Sequence, residues 1–426
     1  MPVIELWQER LVRLLRWSER YTKTDMVYLA GGGFWITLSS ICISLFSLAL
    51  YVAFAHFLPK DVYGNYQYLL SITAIAGGFT LSGMNSAVGQ AVARGYEGTL
   101  RASIPVQLRW GLLSFFGAFA GGAYYAFVGN YTLAIGFILV GLLTPIVNTY
   151  NTYMSFLLGK KDFMRVFLYN FATNIPFYAL LILASFFFKN PVVLLAVNLG
   201  STAIMLAWAY RKTIRVYRPN DRVDEEALRY GKHLTIMGVF SMLVSQLDSI
   251  LVFHFLGAVD LALYSFATAV PDRLAGLFKF VPLTALPKFS EKSSEEIRST
   301  LGPKLIQLTA VVLLGAGMYM IVAPLFFQIF FPQYEPSVPY SILYALSMLT
   351  VVGNIPLTAL TAQRHTRELY IYNIISPLLQ LILLYGGIIT WGLWGLVGAK
   401  VVSAALTSAL SAGLFMYGRA ASRTDN

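Results

Sequence analysis

The chain has 426 residues, of which 57% are hydrophobic and only 12% are charged, and its formal net charge is +11. Soluble domains carry roughly 25% charged residues, and a soluble core cannot bury this much apolar surface. The composition therefore excludes an ordinary soluble protein and predicts that most of the surface faces lipid. The excess of basic residues does not by itself indicate a nucleic-acid partner. What it indicates depends on where the charges lie along the chain.

The N-terminal residues 1–25 differ from the run that follows. Apolar residues recur here at helical spacing beside Arg10 and Arg13, which predicts an amphipathic helix lying in the membrane interface. The next run, residues 27–58, has no Asp, Glu, Lys or Arg. It is far longer than the roughly 7–15 apolar residues of a signal peptide, so we expect it to remain as the first span. The single cysteine, Cys42, excludes an intramolecular disulfide.

Twelve apolar segments follow one another along the chain, separated by short polar breaks. A membrane span needs about 20 apolar residues, and it must be helical because lipid offers no hydrogen-bond partner to a bare backbone group. The predicted spans 1 to 12 are residues 27–58, 62–92, 104–128, 131–158, 163–188, 191–211, 233–257, 260–285, 303–331, 337–362, 368–389 and 391–417.

Lys and Arg are concentrated in alternate breaks between these spans. The N-terminal segment, the breaks after the even-numbered spans and the C-terminal tail are basic, whereas each other break has at most one basic residue. By the positive-inside rule, both termini and the basic breaks face the cytoplasm. The longest break, residues 212–232, is predicted to be a cytoplasmic linker between helical bundles at 26–211 and 233–418, with a tail at 419–426.

The two halves show an internal repeat. His-Phe-Leu occurs at 56–58 and at 254–256, an offset of 256 − 58 = 198, and Tyr66 and Tyr264 share that offset. Tyr-Asn occurs at 169–170 and at 372–373, an offset of 373 − 170 = 203, which one short insertion reconciles. Six spans separate the copies, so both halves enter the membrane from the same side. Parallel repeats of this kind are typical of transporters that alternate access around a midplane site.

Several segments resemble a known family. ALYVAFAHFLPKDVYGNYQYL around the first break, SGMNSAVGQAVARG at 82–95 and GLWGLVGAK at 392–400 are similar to segments of the Wzx-type lipid-linked oligosaccharide flippases. That family lies within the multidrug/oligosaccharidyl-lipid/polysaccharide (MOP) exporter superfamily, which also contains the multidrug MATE transporters. The resemblance covers nearly the whole chain, although each motif is degenerate.

The resemblance implies an all-α, MATE-like polytopic membrane protein, with two parallel six-helix bundles around a central cavity. It implies transport of an undecaprenyl-pyrophosphate-linked oligosaccharide to the outer leaflet of a bacterial inner membrane, for surface polysaccharides such as the O-antigen of lipopolysaccharide. We expect a monomer that acts beside a polysaccharide polymerase or other glycan-assembly proteins. Drug-exporting members of the superfamily move amphipathic cations, so a cation-coupled multidrug antiporter remains the alternative.

Ionisable residues inside spans are costly and mark pathways or ion pairs. They are Asp272, Arg273 and Lys279 in span 8, Lys400 in span 12 and Asp248 in span 7. Arg273 lies 273 − 264 = 9 residues past Tyr264, which at about 1.5 Å per residue is roughly 13 Å deep. Pro271, just before these charges, is expected to kink span 8.

Two interpretations of these charges remain open. In the first, Arg273 and Lys400 face the cavity and bind the pyrophosphate or a sugar carboxylate, with Lys279 as a further cation. In the second, Arg273 pairs with Asp248 as a structural contact, and Lys400 pairs with an acid elsewhere. Asp248 and Asp272 are therefore candidates for ion coupling or for an ion pair.

Other candidates lie in the first half. Arg109, near the cytoplasmic end of span 3, is expected to receive lipid head groups, with a simple lipid-phosphate contact as the alternative. Asn85, Asn148 and Asn151 can hydrogen-bond sugar hydroxyls or hold helices together. The sequence has no phosphate-cradling GxxxxGK[ST] motif and no Cys/His cluster with metal-ligand spacing. We therefore expect a transporter without metal or cofactor, rather than a membrane enzyme of glycan assembly.

Overall fold

A computed structural model of the protein describes residues 26–277, 289, 294–363 and 365–417. All regular elements within these ranges are helical. The predicted interfacial helix at 1–25, Lys279 and the tail at 419–426 lie outside the described residues.

The helices follow one another in the order that the hydropathy pattern predicts. They are α1 (Met26–Phe57), α2 (Lys60–Gly78), α3 (Met84–Ala93), α4 (Thr99–Phe127), α5 (Tyr131–Gly159), α6 (Phe163–Phe187), α7 (Pro191–Tyr217), α8 (Glu225–Ser245), α9 (Leu247–Leu256), α10 (Ala258–Leu277), α11 (Ser294–Phe330), α12 (Val338–Tyr344), α13 (Thr350–Ala362) and α14 (Thr366–Tyr417). Short 3₁₀ segments at Pro332–Ser337 and Ala345–Leu349 flank α12.

Each of the twelve predicted spans is helical over most of its described residues, but several are assembled from more than one helix. Span 2 comprises α2 and α3, and span 7 comprises α8 and α9, which are separated at Gln246. Spans 11 and 12 run together as α14, whose backbone leaves the helical conformation at Trp391 and at Gly392, where φ is +58°. Among the described residues, eight helical stretches are long and apolar enough to cross a membrane, and α14 is one of them.

The helices extend further into the polar breaks than hydropathy suggested. The predicted linker at 212–232 is mostly helical, because α7 continues to Tyr217 and α8 begins at Glu225. Asp224 caps α8 by accepting a 2.9 Å hydrogen bond from the N–H of Ala227, and α7 ends at Arg218 in a left-handed conformation. Polar composition therefore marks the predicted membrane boundary here, whereas capping residues mark the ends of the helices.

The chain divides into two compact units. Unit 1 contains residues up to Phe54 together with Ile75–Val239. One buried cluster of unit 1 brings together residues of α3, α5 and α7, with Met84, Tyr153 and Phe156 fully buried. Residues 55–74, assigned from the sequence to the first bundle, group with residues from Phe240 onward in unit 2.

The short connection at 218–224 is fastened to other parts of unit 1 by polar contacts. Arg94 binds Asp224 at 2.8 Å, and Lys160 binds Glu97 at 2.7 Å. The backbone N–H of Asn220 donates to Glu97 at 3.3 Å. The hydrogen bond from Lys160 is the main reason that the pKa of Glu97 lies below its usual value. The connection is therefore held by charged residues from two other polar breaks.

Unit 2 contains a close approach of two backbones within α14. A Cβ atom on Gly395 would overlap the carbonyl oxygen of Gly387, and a Cβ atom on Gly387 would overlap that of Gly395. These two residues therefore have to be glycine if the chain is to turn back on itself at Trp391 and Gly392. The result is a hairpin whose two arms touch through their main chains.

Candidate functional site

Lys400 and Asp248 form an ion pair inside unit 2. Lys400 Nζ lies 2.7 Å from Asp248 Oδ2, and the side chains keep only 16% and 11% of their surface exposed. A charge withdrawn from water is costly unless it is paired. The structure therefore supplies the partner acid for Lys400 that the sequence left open, and Lys400 binds the carboxylate that was considered as a partner for Arg273.

Local structure explains why Asp248 is held in this place. Span 7 breaks at Gln246, so Asp248 lies in the first turn of α9. The positive end of a helix dipole stabilises a carboxylate in that turn. Asp248 Oδ1 accepts a 2.8 Å hydrogen bond from the N–H of Ser249, while Oδ2 accepts one of 2.7 Å from the hydroxyl of Tyr264. The carboxylate is therefore held by three donors.

Two buried tyrosines extend this network to a second carboxylate. The rings of Tyr264 and Tyr344 meet edge to face with their centroids 6.4 Å apart. The hydroxyl of Tyr344 donates to Asp272 Oδ1 at 3.0 Å. Asp272 itself is exposed. We call Lys400, Asp248, Tyr264, Tyr344 and Asp272 the polar network of unit 2.

Arg273 follows Asp272 in α10, and its Nη1 donates to the carbonyl of Ala269 at 3.0 Å. Pro271 also lies within α10 and has no N–H to offer the carbonyl of Ala267, four residues earlier. The hydroxyl of Ser341 takes that place with a 2.6 Å hydrogen bond. A backbone acceptor beside the charged turn is thus satisfied from a neighbouring helix, as an apolar environment requires.

Three charged residues at or beside the network have no charged counterpart at the repeat-equivalent positions of the first half. With the offset of 198, Asp248, Asp272 and Arg273 correspond to Leu50, Ala74 and Ile75. Tyr264, in contrast, corresponds to Tyr66, which is also buried. The two halves therefore share a framework residue but differ in charge.

The structure separates the other predicted site residues. Asn148 Nδ2 donates to Thr80 Oγ1 at 2.8 Å, which is a contact between structural elements. Asn85 Oδ1 is buried and has no hydrogen-bond partner among the described residues. Asn151 lines a cavity of about 320 Å³ in unit 1. Arg109 is exposed on α4, also in unit 1.

Tyr264, Tyr344 and Asn170 are site residues that the sequence did not single out for chemistry. Tyr264 binds Asp248, and Asn170 lines the same cavity as Asn151. Both had appeared as anchors of the repeat, so that signal was present but was used only for topology. Nothing in the pattern around Tyr344 marked it.

The family model described as polysaccharide biosynthesis protein matches residues 29–292. No curated protein sequence gives a significant match. Solved structures with a similar fold have low sequence identity to this chain, so their likeness concerns the fold alone.

Three of these structures have very similar coverage. An inward-facing multidrug resistance MATE family transporter of the MOP superfamily is 15% identical, with a TM-score of 0.67 over 88% of this chain and 94% of that chain. The lipid II flippase MurJ in an inward closed conformation is 14% identical, with a TM-score of 0.67 over 90% and 87%. A MOP superfamily transporter from Pyrococcus furiosus, described as having a binding pocket of reverse polarity, is 14% identical, with a TM-score of 0.57 over 91% and 95%.

These neighbours are transporters and a flippase, and none of the three is an enzyme. The predicted all-α, MATE-like fold is confirmed, and the apolar helices of the described residues are those of a multi-pass membrane protein. Because the family model covers more than half of the sequence, the chain belongs to the polysaccharide biosynthesis protein family.

Proposed function

We propose that the protein moves an undecaprenyl-pyrophosphate-linked oligosaccharide from the cytoplasmic to the outer leaflet of a bacterial inner membrane, for assembly of a surface polysaccharide. Family membership and the flippase-like fold support a lipid-linked substrate. One observation carries the proposal further: the Lys400–Asp248 pair, with Asp272 and Arg273 on a neighbouring helix, lies among otherwise apolar helices of unit 2.

The pair provides an anion site in which Asp248 already neutralises the charge of Lys400 before substrate binds. An unpaired ammonium among apolar helices would be expensive, and Asp248 removes that cost in the unliganded protein. A diphosphate brings more negative charge than one carboxylate, so it competes for Lys400. Asp248 then keeps its bonds from Ser249 and Tyr264, which limits the penalty for releasing the lysine.

Arg273 supplies a second cation on the helix that also carries Asp272. Its planar guanidinium suits phosphate oxygens better than a lysine does, because two parallel N–H groups can bind two oxygens. In this mechanism substrate binding exchanges ion partners within one half of the protein. The free energy of that exchange helps to drive the change of access.

A cation-coupled drug antiporter is the second candidate. The observation that favours it is the pair of carboxylates, Asp248 and Asp272, joined through Tyr264 and Tyr344, together with the MATE-like fold. A cationic drug would compete with Lys400 for Asp248, whereas a diphosphate would compete with Asp248 for Lys400. The two candidates therefore predict opposite sensitivities to substitution of the two residues.

The test reconstitutes the protein in vesicles and follows a fluorescent undecaprenyl-pyrophosphate oligosaccharide between leaflets. We expect Lys400→Ala to slow movement at least about tenfold, the order expected for losing hydrogen bonds to a charged group. Lys400→Arg should retain part of the activity, and the exposed Lys304→Ala on α11 should retain all of it. Failure of the wild type with several glycans, combined with drug efflux in cells that Asp248→Asn abolishes, would establish the antiporter instead.

A further inference from the structure

Unit 1 contains a cavity of about 320 Å³ whose wall combines uncharged polar side chains with apolar ones. Its volume lies at the lower end of the range of roughly 300–1,000 Å³ found for small-molecule sites. The lining includes the amides of Asn151, Asn170 and Asn174, the hydroxyls of Thr173 and Thr202, and the ring of Phe177. None of the side chains along its wall is acidic or basic.

Hydrogen-bond capacity remains available at this cavity. The side-chain nitrogen of Asn170 donates to Ser39 Oγ at 3.3 Å, and that of Asn174 donates to the carbonyl of Asn170 at 2.8 Å. Both contacts use the amide donor and leave the Oδ1 acceptor for a ligand hydroxyl. Thr202 donates to Asn198 within its own helix, so its oxygen can still accept.

The chemistry of the wall restricts the class of ligand. A site without charged groups gives no advantage to an anion or a cation over water, because burying either without a partner is costly. Amides and hydroxyls beside the aromatic face of Phe177 suit a molecule that has many hydroxyl groups and also an apolar face. A sugar ring has both properties, and the cavity is large enough to hold one.

The second half provides an independent observation. A cavity of about 200 Å³ in unit 2 is lined by Asn373, Ser376 and Gln380, again without a charged side chain. With the offset of 203, Asn373 corresponds to Asn170 and Ser376 corresponds to Thr173. An uncharged polar stripe therefore borders a cavity on the same predicted span of each half, whereas Asp248, Asp272 and Arg273 of unit 2 have no charged equivalents in the first half.

We propose that the cavity at Asn151, Asn170 and Asn174 binds an uncharged sugar residue of the transported glycan. This proposal rests on the proposed function, and it adds a site for the glycan to the site for the diphosphate. Transport of a glycosylated lipid should then depend on both sites, whereas transport of the bare lipid diphosphate should depend on the polar network of unit 2 alone.

The experiment compares two fluorescent probes in vesicles: undecaprenyl pyrophosphate alone, and the same lipid carrying a neutral trisaccharide. The measured quantity is the preference, which is the ratio of transport efficiency for the two probes. Asn151→Ala should reduce the preference for the trisaccharide about fivefold, the change expected for losing one net hydrogen bond. Transport of the bare lipid should stay unchanged in this variant.

Two further variants guard against a change in folding. Thr202→Val keeps the shape of the side chain and replaces its hydroxyl by a methyl group, so it should also reduce the preference. Asn148→Ala is the matched control, because Asn148 lies one turn away on α5 and binds Thr80 instead of lining the cavity. It should lower the melting temperature without changing the preference.

The outcomes separate the two proposals. An unchanged preference in both Asn151→Ala and Thr202→Val, with bare lipid still moving, overturns the sugar site and leaves the flippase function intact. A wild type that moves neither probe overturns the flippase function and the sugar site together. Loss of preference in the two cavity variants, but not in Asn148→Ala, supports the sugar site.

Discussion

Tyr264 donates a 2.7 Å hydrogen bond to Asp248 Oδ2, the same carboxylate oxygen that Lys400 approaches. One oxygen therefore joins a neutral donor and a charged donor from two different helices. Because the tyrosine is almost fully buried, it cannot easily turn away from this contact. In the proposed mechanism the carboxylate stays anchored to Tyr264, and the lysine is the partner that substrate displaces.

The effects of substituting Lys400 and Asp248 on the free energy of unfolding should be strongly non-additive. Lys400→Met leaves the Asp248 carboxylate buried without its counter-charge, which should cost about 3 kcal/mol of unfolding free energy. Asp248→Asn should be destabilising for the corresponding reason. The double variant should recover most of the loss, because no unpaired charge remains. The measurement is thermal unfolding in detergent of the wild type, the two single variants and the double variant. Strictly additive losses would show that the two groups do not interact.

Ser341 should be important for stability because it serves the carbonyl that Pro271 leaves unpaired. Ser341→Ala removes the 2.6 Å bonds to Ala267 and to Tyr319. A buried acceptor left unsatisfied costs about 1–3 kcal/mol, and the melting temperature should fall accordingly. Ser299→Ala is the control, since the hydroxyl of that exposed serine donates to the carbonyl of Glu296 within its own helix. Equal melting temperatures for the two variants would contradict this role.

Glu97 should make the fastening of the 218–224 connection sensitive to acid. Its pKa is lowered in the folded protein, chiefly by Lys160, so it stabilises the fold above the unfolded pKa. That contribution is lost as the pH falls through the lowered folded value. Glu97→Gln should therefore be less stable than the wild type at neutral pH, by up to about 1 kcal/mol, and the difference should vanish in acid.

Melting curves of both proteins across pH check this prediction, with the exposed Glu226→Gln as the control for a change of one negative charge. A difference between wild type and Glu97→Gln that grows on acidification would have the wrong sign. It would show that Glu97 does not stabilise the fold through its ionised form.

The sequence predicted the spans well because lipid imposes a simple rule on the chain. A span must be apolar, long enough and helical, and these properties can be read from local composition. The break at Gln246 inside span 7 was not predicted, since it interrupts the helix without interrupting the hydropathy. The turn at Trp391 and Gly392, in contrast, lies within two residues of the predicted break between spans 11 and 12. The extension of α7 to Tyr217 was also missed, because a helix can continue into water when its end is capped.

The pairing of site residues depends on packing and could not be predicted locally. Lys400 and Asp248 lie on different spans, and no spacing in the chain connects them. Asn148 and Asn151 are the same residue type one turn apart, yet Asn148 binds Thr80 and Asn151 lines a cavity. The repeat carried a signal that local pattern lacked, because its anchors Tyr264 and Asn170 are part of the polar network and of the cavity wall, but it was interpreted only as topology.

The glycine contact within α14 has a mechanical consequence. Asn373 lies on the first arm of this hairpin and Lys400 on the second. Gly387 and Gly395 touch through their main chains, so the two arms are in direct backbone contact beside the turn. We therefore expect the two arms to move together. The hairpin should behave as one rigid body, so that a tilt of the first arm at the cavity lined by Asn373 also moves Lys400 on the second arm.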